Sequence, residues 1–289
     1  SAYLLAGLAA KLAGVPVVIA GRRNERSGDI YLPWLEKVVN RLVDAVFVVS
    51  KAVAEDAVSA GLVSSDKIYL IYNGIDLAPF ATLDVCSKAA QIRQQFNDED
   101  NCVLAGVVAN LTPRKGHSNL LQAAVHILIE QPKIKFLLIG RDDGCRTELE
   151  QMSRDLGISD AVIFLGERHD IPVLLAAMDL QILPSRVEGF PVVALEGMAS
   201  GLPLIVTDVG GSAEAVQDGV TGLVVPPANP EHLARAILCL GGNKALRQQM
   251  GQAGKARVRE LFSIARIVEE HQHRYEQLVI DKGLVVAHH

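Results

Sequence analysis

A chain of 289 residues with a formal net charge of −5, 49% hydrophobic but only 4% aromatic, is long enough for two domains and suits aliphatic parallel sheets under helices. No basic run offsets that acidic balance, which argues against a nucleic-acid binder, whose phosphate contacts call for clustered Lys and Arg. Cys86, Cys102, Cys145 and Cys239 stand far apart without a C-x-x-C pair, so zinc and redox-dithiol sites are disfavoured and the thiols read as those of a reducing cytoplasm.

The chain opens on an apolar run over 2–20 that Gly14-Val15-Pro16 breaks at its middle. A helix followed by a strand over 15–20 explains it better than a signal peptide or a membrane span. Apolar runs predict further strands over 45–49 and 68–71, with a helix over 51–60 ended by Gly61. Asn73-Gly74 then breaks structure, a linker runs over 76–84, and a helix over 88–96 starts a new unit. A more complete series follows, with strands over 102–108, 135–139, 162–165, 180–183, 204–207 and 222–225. Helices over 117–130, 146–156, 171–178, 190–200 and 212–217 fill the gaps, and helices over 230–240, 243–261 and 263–280 complete the chain. Crossovers of that length join parallel strands, so a doubly wound sheet is expected. Ligands of such sheets bind outside the carboxyl ends of the strands, where 110–116, 140–144, 166–170, 184–191 and 208–212 all fall.

The segment from Ser185 to Pro203 is the most informative. It carries Glu188 and Glu196 around a helix start that Pro191, a residue tolerated in a first helical turn, places near Phe190. The first amides, from Phe190, Val192 and Val193, are bared by Gly189 and offer donors and positive dipole to an anion such as a phosphate. Glu196 lies among Val192, Val193, Ala194, Leu195, Met198 and Ala199, a setting in which a carboxylate needs a partner. Ribose hydroxyls would supply one. The plainer alternative leaves Glu188 favouring the helix dipole and Glu196 at a solvated edge.

Glu188-Gly189-Phe190-Pro191 with Glu196 resembles the Glu-x7-Glu motif of family 4 retaining glycosyltransferases. The resemblance extends to Asn110-Leu111-Thr112-Pro113-Arg114-Lys115-Gly116-His117, to Tyr72-Asn73-Gly74-Ile75-Asp76, and to Asp208-Val209-Gly210-Gly211-Ser212-Ala213-Glu214. It implies an α/β chain of GT-B type, with one complete doubly wound, Rossmann-like domain and a partial N-terminal α/β domain. The implied boundaries are 1–80 for the acceptor side, 81–256 for the nucleotide-sugar side, and 257–289 for a helix crossing back to the first domain, with a tail. Several strands and a Gly-rich loop would precede Ser1 in a full enzyme, so a truncated product is expected.

The implied activity is transfer of a sugar from a nucleotide-diphosphate donor to a glycan, lipid or small-molecule acceptor. Configuration would be retained by front-face displacement, without an enzymic nucleophile, cofactor or metal. Lys115 would neutralise the leaving phosphate or else be a solvated loop lysine, and Arg114 would be either a second charge, because Asn110 stands where many relatives carry Arg, or a surface residue. Glu188 would lie at the donor sugar and share the catalytic role with Lys115. The backbone of Gly189, Phe190, Pro191, Val192 and Val193 would follow sugar and phosphate, and Glu196 would bind ribose. Arg168 would stand beside the nucleobase or else pair with Asp170.

Relatives often place a His after a first-domain strand, where this chain has Gly21-Arg22-Arg23-Asn24. Arg22 and Arg23 are candidates for a phosphate or an anionic acceptor, or form a solvated pair. His126 sits within a helix, and His271, His273, His288 and His289 lie in a charged tail without a metal-binding pair. A cytoplasmic location, with room for peripheral association at the inner face of a membrane, follows. The rivals are an inactive fragment that only binds nucleotide and a nucleotide-sugar epimerase. A dehydrogenase would need a Gly-x-Gly-x-x-Gly that the glycines near Gly140 and Gly144 do not form.

Overall fold

A computed structural model describes residues 2–23, 33–96 and 102–284; Asn24, His288 and His289 lie outside them. The described strands form two parallel sheets. The smaller has the order β1 (Ile19–Arg22), β2 (Ala45–Val48), β3 (Ile68–Leu70), with β2 buried at every residue. Helices α1 (Ala2–Leu12), α2 (Pro33–Leu42) and α3 (Lys51–Ser59) accompany it. Ser50 starts α3, its hydroxyl accepting from the Val53 amide at 3.2 Å.

Two expectations are corrected here. β1 starts at Ile19 rather than at Val15, and it runs on through Gly21 and Arg22. Gly14 turns the chain at φ 72°, and the Val18 amide is taken by the Asp44 carboxylate at 2.8 Å, so the residues before Ile19 sit outside the ladder. The helix α2 was not anticipated. It buries Val39 while exposing Trp34 and Val38.

The larger sheet has the order β6 (Val162–Gly166), β5 (Ile134–Ile139), β4 (Val103–Val108), β7 (Leu180–Leu183), β8 (Leu204–Thr207), β9 (Gly222–Val225), all parallel. Its crossovers are α5 (His117–Glu130), α6 (Arg146–Asp155), α7 (Ile171–Ala177), α8 (Val192–Ser200) and α9 (Ser212–Ala215), and α4 (Leu83–Phe96) leads into it. Alternation along β5 sends Phe136 and Leu138 into one core with Leu120 and Ile237, and Leu137 and Ile139 into another with Leu174 and Leu175. Both faces are covered, as a parallel sheet requires.

After β9 come α10 (Pro230–Gly241), α11 (Lys244–Leu261) and α12 (Ile264–Asp281). Ile75 brackets the start of α12, its amide donating to the Phe262 carbonyl and its carbonyl accepting from the Ile264 amide, each at 2.9 Å. From there α12 packs on the small sheet, where Tyr275 stacks on Phe47 at 5.6 Å and the Arg274 guanidinium lies 4.4 Å from the centre of the Tyr69 ring. Asp44 joins both ends of this half, pairing with Lys11 at 2.9 Å and Lys282 at 2.7 Å. The arrangement is the GT-B fold, with parallel sheets in two Rossmann-like units.

Candidate functional site

Strand order reverses between β4 and β7, so the loops leaving both strands open the crevice in which doubly wound sheets bind ligands. The loop after β4 tightens into a short turn over Pro113–Lys115 and ends at Gly116, whose φ of 70° and contact with the Pro184 carbonyl leave no room for a side chain. That approach brings Lys115 to the loop after β7. Its Nζ lies 2.6 Å from Glu188 Oε1, with side-chain exposures of 21% and 10%. Ser185 Oγ donates to the same oxygen at 2.7 Å. Residue types alone had directed both charges to a ligand; the structure pairs them with each other.

The Glu188 loop is clamped from below. Gly210, at φ 50°, packs so tightly on the Glu188 carbonyl that a Cβ would collide with it, and the Gly211 amide donates to the Gly189 carbonyl at 2.8 Å. Helix α8 starts at Val192, two residues later than expected, with Pro191 as its cap rather than inside its first turn. Pro191 has no capping side chain, so the amides of Val192 and Val193 lead the helix without a protein partner at their cap. The Phe190 amide is not part of the turn. The Phe190 ring packs 5.0 Å from Tyr72 and 5.4 Å from Phe262, and the residue borders the crevice with Pro191.

Lys115, Glu188, Arg114, Asn110, Val192 and Val193 border a cavity of about 400 Å³. A second of about 360 Å³ shares Asn110, Val192 and Val193 and adds Arg168 and Glu196. The cation and the lone carboxylate thus stand along one crevice with the start of α8 between them. Glu196 has no hydrogen-bond partner among the described residues, and burial pushes its carboxyl above the usual range. Arg168 forks onto Asp170 at 2.8 and 2.6 Å, which lowers the Asp170 carboxyl, and still borders the Glu196 cavity. Asn110 donates to Asp143 at 3.1 Å, and Arg114 is exposed at the rim. His117, two residues after Lys115, is buried and pushed down to about 4 by desolvation and by the Lys115 charge.

Arg22 and Arg23 separate. Arg22 pairs with Asp56 at 3.0 Å and is committed to the fold, whereas Arg23 is exposed. It borders a third cavity, of about 530 Å³, at the carboxyl ends of β1, β2 and β3, which also touches Val192.

Glu214 is a residue whose part was not foreseen. Its carboxylate accepts from the amides of Lys51 and Ala52 at 2.9 and 3.0 Å, capping α3 from the other half of the molecule, and from the Tyr72 hydroxyl at 3.1 Å. Burial, with Glu214 beside it, pushes the Tyr72 hydroxyl up to about 12. Asn73 Nδ2 donates to the Phe190 carbonyl at 3.1 Å, so the small sheet grips the crevice loop directly. The family-like motifs around Asn73 and Glu214 were visible in the sequence, but nothing in their spacing said that they meet.

Among the described residues no three His, Cys, Asp or Glu side chains gather as a metal site, and no helix is long and apolar enough to cross a membrane. Residues 88–257, more than half of the chain, match the family model for glycosyl transferases group 1, and residues 1–79 match that for glycosyltransferase family 4. An uncharacterized glycosyltransferase of Methanocaldococcus jannaschii is 31% identical over 78% of this chain and 58% of its own. The N-acetyl-alpha-D-glucosaminyl L-malate synthase of Bacillus anthracis is 30% identical over 74% and 55%. The chain therefore spans somewhat more than half the length of these relatives. The crystal structure of Anabaena HepE in complex with UDP superposes with a TM-score of 0.87 at 26% identity, covering 96% of this chain and 76% of that one.

Proposed function

Because the chain belongs to the group 1 glycosyl transferases, we propose that its crevice binds a nucleoside-diphosphate sugar and transfers the sugar to an acceptor. The observation that carries this is the spacing of charge along one crevice: the Lys115 ammonium and the Val192 and Val193 amides at one end, and the unpartnered Glu196 carboxylate at the other. A diphosphate meets the first set, which stabilises the negative charge gathering on the leaving group. The two ribose hydroxyls meet the second. Arg168 stands where the base would lie, and Arg114 adds a rim charge in place of the arginine that Asn110 replaces.

In the step proposed, the bond from the anomeric carbon to the β-phosphate oxygen breaks and the bond from the acceptor oxygen to that carbon forms. The acceptor proton passes to the leaving phosphate on the same face, so configuration is retained. Diphosphate binding takes Lys115 from Glu188, which frees the carboxylate toward the sugar. The chemistry needs no metal in this reading, since Lys115 and the amides supply the counter-charge. A binding titration with UDP, GDP and ADP tests the site, and proton NMR of the product anomer, run with and without EDTA, tests the transfer. No affinity for any of the three nucleotides would refute the reading.

A further inference from the structure

Two carboxylates border the cavity assigned to the donor diphosphate. Glu188 is one, and Asp143, from the loop after β5, is the other. Each is held by a cation. Lys115 pairs with Glu188, and the Arg141 guanidinium forks onto Asp143, with Nε 2.8 Å from Oδ1 and Nη2 3.3 Å from Oδ2. Asn110 Nδ2 donates to the same Oδ2 at 3.1 Å. A carboxylate that takes a guanidinium fork and an amide donor makes the contacts that a phosphate group would make.

The backbone beneath this cluster is fixed. Gly140 follows β5 at φ 156°, packed so closely on the Ala109 carbonyl that a Cβ would collide with it, and the Leu111 amide donates to the Arg141 carbonyl at 2.9 Å. Asp142 Oδ1 accepts from the amides of Gly144 and Cys145 at 2.9 Å and of Arg146 at 3.0 Å, which closes the turn. These bonds lace the loop after β5 to the loop after β4. They set Arg141, which borders the Glu196 cavity, beside Asn110, which borders both cavities of the crevice. The side chains are free to part: those of Arg141 and Asp143 are 60% and 31% exposed, and an ion pair in such a setting adds little to stability. Arg141 holds the Asp143 carboxyl below its usual range, so a diphosphate entering the cavity meets a negative charge.

We propose that Asp143 is a built-in competitor for the donor diphosphate: it occupies the Arg141 fork and the Asn110 amide until a phosphate group displaces it, and Arg141 then turns to that phosphate. The proposal rests on the donor reading above, and the two fail separately. Calorimetric titrations with UDP, pyrophosphate and uridine, on the parent, on Asp143→Asn and on the double variant Arg141→Ala with Asp143→Asn, test it.

Asp143→Asn keeps an acceptor oxygen for Arg141 and removes the charge. It should bind UDP and pyrophosphate about three- to tenfold tighter than the parent at low salt, the size expected for one charge removed near a polyanion, and the gain should shrink as salt is added. Uridine should bind all three proteins alike. The double variant should bind UDP about tenfold more weakly than Asp143→Asn alone, because Arg141 contacts the phosphate and does more than neutralise Asp143. An Asp143→Asn protein that binds UDP and pyrophosphate no tighter than the parent overturns the proposal, and a carboxylate with a purely structural part would give that result. A gain that extends equally to uridine, or a double variant equal to Asp143→Asn, overturns it too. Variants that shift pyrophosphate affinity as expected while none binds UDP keep the exchange at Arg141 and remove the nucleotide reading.

Discussion

Replacement of Glu196 by Gln should weaken nucleotide binding and strengthen the fold at the same time. In the free protein the Glu196 carboxylate is largely buried without a protein donor, and burial raises its pKa. A raised carboxyl pKa means that the folded state holds its proton longer than the unfolded one, so this group's contribution to stability falls as pH rises from its unfolded value through its folded one. Glu196→Gln removes that cost, and a gain of about 0.5–2 kcal/mol at neutral pH is typical for relief of this kind. The same change deletes a charged acceptor for two ribose hydroxyls. A hydrogen bond to a charged group contributes about 1.5–3 kcal/mol, which predicts roughly 10- to 150-fold weaker UDP binding. Calorimetry with UDP and 2′-deoxy-UDP separates this from general damage, because the parent should discriminate between the two and Glu196→Gln should do so far less. UDP affinity in the parent should also rise with pH through the acid range, since the bound hydroxyls favour the ionised carboxylate. A Glu196→Gln protein that binds UDP as the parent does, or melts no higher, refutes the reasoning.

Lys115→Ala should cost UDP at least tenfold in affinity while uridine binding stays near the parent value, and it should lower the melting temperature because Glu188 loses its 2.6 Å partner. The double variant Lys115→Met with Glu188→Gln should recover stability without recovering turnover, measured by thermal melts and donor consumption. Glu214→Ala should destabilise by about 1–3 kcal/mol in a urea titration, through the lost cap on α3 and an unpaired Tyr72 hydroxyl. Asp44 is held down to about 2 by Lys282, the Val18 amide and Lys11, against the opposing effect of burial. Its stabilising contribution is therefore complete above the ordinary aspartate pKa and is lost as pH falls toward 2. Asp44→Asn should lower stability at neutral and alkaline pH and thereby flatten the acid limb of the pH–stability curve.

The large sheet was legible in the sequence because its strands are short apolar runs between clear helix and glycine signals; β7 and β8, for instance, are buried at every residue. The small half was less so. The start of β1 is decided by Asp44, a residue in another segment that takes the Val18 amide. Within the site, Lys115, Glu188 and Glu196 were readable as charges in apolar or loop settings that call for a partner. Two things could not be read from residue types: that Lys115 and Glu188 would pair, and that Glu214 would cap a helix more than 150 positions away. Both depend on how Gly116, Gly210 and Gly211 let three loops approach, and an approach of that kind leaves no periodic trace.

Because α12 closes over Phe47 and Tyr69, the covering of the small sheet is delivered late. On the ribosome the strands of that sheet emerge before α12, and their aromatic face waits for a segment made roughly 190 residues later, after the six-stranded unit can already have folded. During that interval Phe47 and Tyr69 are open to chaperones and to neighbouring nascent chains. Translation speed across the second half thus sets how long the first half remains sticky.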